Sequence, residues 1–153
     1  MKNLLKIGVA ILLVIASTYT VQAQIENPVK WSYTAKKISA DVYELYITAT
    51  IQAKWHLYAQ QSGEGPVPTK ISIDKSPLLK LDGSPKEVGK LIKEYDSNFK
   101  STLNFYANKV NFVQRVKIKA GVTTIAKGKV TYMVCNDEKC LPPKDVAFAI
   151  KVG

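Results

Sequence analysis

The chain has 153 residues, 46% of them hydrophobic, with 22 Lys and Arg against 12 Asp and Glu and a formal charge of +10. That length is one domain's worth, enough for a core of its own. The lysines are spread along the chain with no basic run and no interleaved aromatics, which excludes nucleic-acid work; they read as a solvated surface with some attraction to acidic partners or lipid headgroups.

The first segment predicts a secretory signal peptide over residues 1–23. Lys2 and Lys6 give a basic start, Ile7 to Ala16 is an apolar run, and Val21-Gln22-Ala23 sets small residues where a signal peptidase reads them. The run is shorter than the roughly 20 residues of a membrane span. Cleavage after Ala23 leaves Gln24 to Gly153 as a single exported or periplasmic domain with no transmembrane segment.

The rest of the chain is dominated by a period of two. Tyr43, Leu45, Ile47, Ala49 and Ile51 alternate with Val42, Glu44, Tyr46, Thr48 and Thr50. Ser62 to Pro68 reads as a loop, because its glycines and prolines cannot sustain a ladder. Val88, Leu91, Ile92 and Tyr95 fall at helical spacing after Pro85 and predict a short helix. Val110, Phe112, Val116 and Ile118 share a face that Gln114 interrupts; Val130, Tyr132 and Val134 share another, and Val146, Phe148, Ile150 and Val152 close the chain. Ala40-Asp41, Ala120-Gly121 and Pro142-Pro143 supply turn chemistry between runs. The pattern predicts an all-β sandwich.

Cys135 and Cys140, the only cysteines, lie after one predicted strand and before the last. Export places them where a disulfide forms. A closed loop this short contributes about 2 kcal/mol as a staple, against nearly 5 kcal/mol for a loop of about 100 residues. Spacing alone therefore leaves both a local staple and a redox pair open. A metal reading is poorer: the two thiols, His56 and Met133 suit a soft ion such as Cu(I), but zinc asks for four ligands and blue copper for two histidines. Asp137 and Glu138 between the thiols oppose thiolate formation, with Lys139 a partial offset, so slow reaction with small thiols is expected.

Trp55-His56-Leu57-Tyr58, Gly65-Pro66-Val67-Pro68-Thr69, Asp96-Ser97-Asn98-Phe99-Lys100 and the cysteines followed by Leu141-Pro142-Pro143 appear in an order that resembles the N-terminal periplasmic domain of the thiol:disulfide interchange protein DsbD. The resemblance runs from about Val29 to Val152. It implies an immunoglobulin-like β-sandwich that takes electrons from a thioredoxin-like donor and passes them to oxidised exported client proteins. It also implies that Cys140 forms the mixed disulfides and Cys135 resolves them. Phe99 matches an aromatic that shields the pair from a cap loop, and His56 and Tyr58 match two ring-bearing neighbours. This sequence departs from the best-known members in having four residues between the cysteines instead of five, and His56 where they often carry tyrosine. Neither a membrane-embedded nor a thioredoxin-like part follows, so the donor is expected to be a separate polypeptide.

The expected reaction is thiol–disulfide exchange through Cys135 and Cys140, with no metal or organic cofactor. Each neighbour also has a plain structural reading: Phe99 as a core aromatic, His56 as a hydrogen-bonded packing residue, and Trp55, Tyr58 and Tyr106 as core or rim. The competing class is an immunoglobulin-like binding module with a purely structural disulfide; a third reading is a copper chaperone.

Overall fold

The computed structural model describes residues 26–96 and 99–153; the signal segment at residues 1–23 lies outside them. All the regular elements among the described residues are strands: β1 (Val29–Lys37), β2 (Val42–Ile51), β3 (His56–Tyr58), β4 (Lys70–Ile73), β5 (Leu79–Asp96), β6 (Ser101–Ile118), β7 (Thr124–Tyr132), β8 (Val134–Cys135) and β9 (Lys144–Val152).

Two sheets form. β6 is the axis of the larger. Along one edge it pairs with β5 over its whole length; along the other it pairs first with β3, through Phe105 and Tyr106, and then with β2, from Lys109 to Lys117. β1 extends the sheet beyond β2, and β8 extends it beyond β3. The smaller sheet runs β4-β7-β9. All pairings are antiparallel.

The alternating runs explain the packing. Leu45, Ile47 and Ala49 from β2, Val110, Phe112 and Val116 from β6, Val130 from β7 and Ile150 and Val152 from β9 form one buried core between the sheets. Side chains two apart share a face, so each run delivers its apolar set inward and its polar set to water. Gln114, the polar residue in the β6 face, is buried as well. Its Nε2 donates to the carbonyls of Gly83, at 3.0 Å, and Arg115, at 2.7 Å. It thereby satisfies a backbone acceptor at the irregularity in β5 between Asp82 and Lys86, where a bulge would otherwise leave it unpaired.

The helix expected around Val88, Leu91, Ile92 and Tyr95 is a strand instead. These residues belong to β5, paired with Asn111, Tyr106, Phe105 and Thr102 of β6. Cross-strand partners share a face, so Leu91 and Ile92 lie on opposite faces and the helical stripe is split. Val88, Leu91 and Tyr95 are exposed. The ladder to β6 satisfies the backbone of β5 on either side of its two irregularities, and tertiary pairing outweighs a weak local preference. A second irregularity, between Gly89 and Leu91, falls opposite Asn108, whose φ is 64°. It lies where β6 passes from β2 to β3.

Gly128, in the middle of β7, has a carbonyl of the neighbouring strand against it: a Cβ there would overlap the Ser72 carbonyl oxygen and come within 2.7 Å of the Phe148 ring. Gly128→Val is expected to destabilise the domain by about 3 kcal/mol, through overpacking against the flanking strands β4 and β9. Urea unfolding followed by tryptophan fluorescence measures it; a change below about 0.5 kcal/mol, the range of ordinary surface substitutions, would contradict this packing.

Candidate functional site

The outer face of the larger sheet carries a second, smaller core at the β3 end of β6. The register sets its members side by side: His56 opposite Cys135, Tyr58 opposite Phe105, and from β5 Ile92 opposite Phe105 and Glu94 opposite Leu103. Tyr58, Leu103 and Cys135 are fully buried there, with Phe99, Phe105, Met133 and Cys140 packed against them. The first half of β6 is thus covered on both faces, which consecutive Phe105-Tyr106 already suggests: a strand buried on both sides reads as a continuous apolar run.

Cys135 and Cys140 form a disulfide with Cα atoms 4.0 Å apart. Local chain geometry brings them together. After β8 the chain reverses through Asp137-Glu138 and returns antiparallel, with the Asn136 amide donating to the Lys139 carbonyl and the Leu141 amide to the Val134 carbonyl, both at 2.9 Å. The Asn136 side-chain oxygen accepts from the amides of Glu138, at 3.0 Å, and Lys139, at 2.8 Å, and stabilises the turn. Four intervening residues are therefore enough. The two cysteines sit opposite each other at a non-hydrogen-bonded position, the closest kind in an antiparallel ladder. The sulfur-bearing residues are unequal: Cys135 is 1% exposed, whereas Cys140 is partly open to solvent.

A cap lies over this cluster. Phe99, in the turn joining β5 to β6, packs its ring edge-on to Tyr58 at 6.2 Å. Its amide donates to the Asp96 carboxylate at 3.2 Å. Underneath runs the glycine-rich loop expected at Ser62 to Pro68. Gly65 has φ of 117°, and a Cβ there would overlap the Phe99 ring, so only glycine lets loop and ring approach this closely. Ser101 Oγ donates to the Glu64 carbonyl at 2.7 Å, and the Asn104 amide to the Ser62 carbonyl at 2.9 Å, tying the loop to the start of β6. The Met133 sulfur accepts from the Val67 amide at 3.5 Å and is engaged as packing and acceptor within this cluster.

Electrostatically the site is acidic although the chain is basic. Glu94, Asp96 and Asp137 surround His56 along an open groove of about 440 Å3, which Lys54, Trp55 and Phe105 also line, so three carboxylates face one ammonium there. Lys139, the nearest cation in the sequence, is engaged by Glu26 at 2.7 Å. Burial depresses the His56 pKa below its usual value, and the carboxylates only partly counter this. Burial, reinforced by Asp96, pushes the Tyr58 phenol well above its ordinary value. Tyr58 therefore stays protonated, and its hydroxyl shares a hydrogen bond with His56 Nε2 at 3.3 Å. The His56 ring also lies 4.5 Å from Phe105.

All five residues singled out in the sequence (His56, Tyr58, Phe99, Cys135 and Cys140) meet here. Trp55 and Tyr106 belong to the main core instead. Sequence reading missed Leu103 and Phe105 as the floor of the cluster, Asn136 as the residue that closes the turn, and Glu94 and Asp96 as its acidic rim. The first two carried a signal in the doubled apolar run; the acidic pair converges only through the β5–β6 register. Among the described residues no group of three or more His, Cys, Asp and Glu side chains is arranged to hold a metal ion.

His56 is the sole histidine, so its titration is readable in stability. With the folded pKa depressed, the unfolded chain binds more protons below about pH 6.5; stability holds above that pH and falls as the solution is acidified through the folded pKa. Urea midpoints measured from pH 7.5 to 5 are expected to decline, and His56→Gln to flatten the decline. An unchanged slope in the variant would place the proton uptake elsewhere.

The family described as the N-terminal domain of thiol:disulfide interchange protein DsbD matches residues 22–151. Among curated protein sequences none matches significantly. Solved structures do. The DsbD N-terminal domain of Neisseria meningitidis in its reduced form is 20% identical, with a TM-score of 0.56 over 87% of this chain and 94% of that one. The N-terminal periplasmic domain of ScsB from Proteus mirabilis is 16% identical, with a TM-score of 0.56 over 86% of this chain; the alignment spans only 49% of that protein. The complex between the DsbD and PilB N-terminal domains of Neisseria meningitidis gives 17% identity and a TM-score of 0.52, covering 85% and 88%. These likenesses establish the immunoglobulin-like sandwich, and the match over most of the sequence makes this chain a member of the DsbD N-terminal domain family.

Proposed function

We propose that this protein is an exported thiol–disulfide exchange protein that relays reducing equivalents through Cys135 and Cys140, between a thioredoxin-like donor and oxidised client proteins. The observation that carries the reading is the asymmetry of the disulfide: a buried Cys135 beside a partly open Cys140, under an aromatic cap seated on a glycine. A staple needs neither. Membership in the family supports exchange chemistry, and the complex solved for the Neisseria domain with the PilB N-terminal domain supports a protein partner. The periplasmic description of the ScsB domain and the signal-like residues 1–23 support export.

A donor thiolate attacks Cys140 Sγ, the Cys135–Cys140 bond breaks, and Cys135 leaves with the electron pair and takes up a proton. A second donor thiol then attacks the mixed disulfide at the donor's own sulfur and frees Cys140, so the donor becomes oxidised and the pair reduced. Toward a client the Cys140 thiolate attacks the client disulfide, and Cys135 then attacks Cys140 Sγ and expels the client thiol. Glu94, Asp96 and Asp137 place negative charge around His56, which stands opposite Cys135 in the ladder. They disfavour the thiolates, so the reduced protein reacts slowly with small reagents and depends on a docked partner. Phe99 shields the sulfurs, and neutral His56 with Tyr58 packs beside Cys135.

Equilibration in glutathione buffers is expected to give a reduction potential between about −270 and −120 mV, the range of working oxidoreductases. Mixed with the oxidised, disulfide form of a thioredoxin-like donor, Cys135→Ser should attack that disulfide through Cys140 and accumulate a mixed disulfide that Cys140→Ser does not form. A potential below about −300 mV, or trapping by neither variant, would leave a structural disulfide in a binding module. Phe99→Ala is expected to speed oxidation of the reduced pair by glutathione disulfide about tenfold, as a barrier lowered by about 1.4 kcal/mol would; an unchanged rate would reduce Phe99 to a packing residue.

A further inference from the structure

We infer that the free edge of β5 pairs with β5 of a second copy of this chain, antiparallel about a two-fold axis at Ile92, so that the two large sheets join into one. The joint lies apart from the cysteines and is independent of their chemistry.

β5 runs for 18 residues and pairs only with β6; among the described residues no strand covers its other edge. Asn104 of β6 shows which backbone groups face that edge. Its amide donates to the Ser62 carbonyl at 2.9 Å and its carbonyl accepts from the Ala59 amide at 3.0 Å, so both groups point away from β5. Lys93, opposite Asn104, therefore sits at a non-hydrogen-bonded position and turns its own N–H and C=O to the open side. By alternation so do Leu91 and Tyr95. Apolar side chains concentrate along the same edge: Leu81, Val88, Leu91 and Tyr95 are 45–65% exposed, and Leu78 just before it is 45% exposed. A long edge strand with exposed apolar side chains is a template for pairing with another chain.

The edge is complementary to itself when reversed. With the axis at Ile92, Lys90 meets Glu94 of the second copy, Gly89 meets Tyr95, Leu91 meets Lys93 and Val88 meets Asp96. Lys90 and Glu94 are both exposed and share the outer face, at positions where side chains across an antiparallel pair come closest. Gly89 is exposed and has no side chain, which leaves room for the Tyr95 ring. The stem of Lys93 covers Leu91 while its ammonium stays in water. Neighbouring registers fit less well. An axis at Lys90 or Lys93 opposes two lysines, and one at Glu94 opposes two glutamates. An axis at Leu91 sets Lys90 and Glu94 against Ile92 and Val88 and leaves both charges without an ionic partner.

Self-complementarity is what selects a second copy over an unrelated strand, because a two-fold joint uses the same edge twice and closes at the dimer. Lys90 and Lys93 repel other strands, and Glu94 answers Lys90 only in this register. The irregularity between Asp82 and Lys86 and the end of β5 at Asp96 bound the joint, which spans roughly 30 Å of strand. The cysteines stay clear of it. Across the outer face the strands run β8, β3, β6, β5, and Cys140 lies beyond β8, four strand spacings or roughly 19 Å from β5. The two cysteine sites of such a dimer open on the same side of the joined sheet.

Sedimentation equilibrium of the oxidised protein, up to about 500 µM, tests the joint. A monomer–dimer equilibrium with a Kd on the order of 10–100 µM is expected, since a joint of this length lies at the low end of specific interfaces. Lys90→Glu opposes two carboxylates on each side of the axis and is expected to weaken association about tenfold or more. Glu94→Lys opposes two ammonium groups and is expected to do the same. The double variant Lys90→Glu/Glu94→Lys exchanges the partners and is expected to return the Kd to within about twofold of its original value. Both positions are exposed, so urea midpoints are expected to stay within the range of ordinary surface substitutions. A protein that remains monomeric throughout overturns the inference. So does a dimer that the single variants leave intact, or that the double variant fails to restore, because it is built on another surface.

Discussion

The ladder of β6 is the constraint on which the rest of this molecule depends. From Ser101 to Ile118 it is bound on one side by β5 and on the other by β3 and then β2. A strand so engaged has no freedom of register: a slip of one residue would turn Val110, Phe112 and Val116 out of the core and Leu103 and Phe105 away from the disulfide. One register therefore sets two hydrophobic clusters at once, the sandwich core on one face and the cysteine site on the other. The bulge opposite Asn108 lets the strand change neighbours from β2 to β3 without losing that alternation.

The site is built on the rigid part of the fold and covered by its irregular part. His56, Tyr58, Leu103, Phe105 and Cys135 project from strands, whereas Phe99 and the Ser62 to Pro68 loop are held over them by a few hydrogen bonds and one close ring contact. Segments with few buried apolar contacts open at lower free energy than core strands. This division leaves Cys135 covered and Cys140 partly open to solvent. Asp137, between the cysteines in the chain, adds negative charge, which raises the cost of a thiolate nearby.

Against relatives only 16–20% identical, the fold persists because it asks for alternation and turn chemistry, not for particular side chains. The turn between the cysteines shows the kind of local chemistry involved. Asn136 supplies a side-chain acceptor inside the turn, so Asp137-Glu138 suffices to reverse the chain and Cys140 still lands opposite Cys135. His56, beside Cys135 in the ladder, has its pKa lowered by burial and presents a ring and one hydrogen-bonding nitrogen to Tyr58.

Much of this was legible in the sequence by itself. The two-residue period of β2, β6, β7 and β9 determined an all-β sandwich and its core, since only one face of each strand could be buried. The glycine and proline loop was legible too, and the order of motifs around His56, Phe99 and the cysteines identified the family. The helix expected at Val88 to Tyr95 failed because a short apolar spacing does not reveal a long-range partner, and β6 supplied one. The convergence of Glu94 and Asp96 with Asp137 around His56 and the seat of Phe99 on Gly65 were decided only by tertiary structure. Each joins residues distant in the chain. Register and strand order fix both, and neither is written in local spacing.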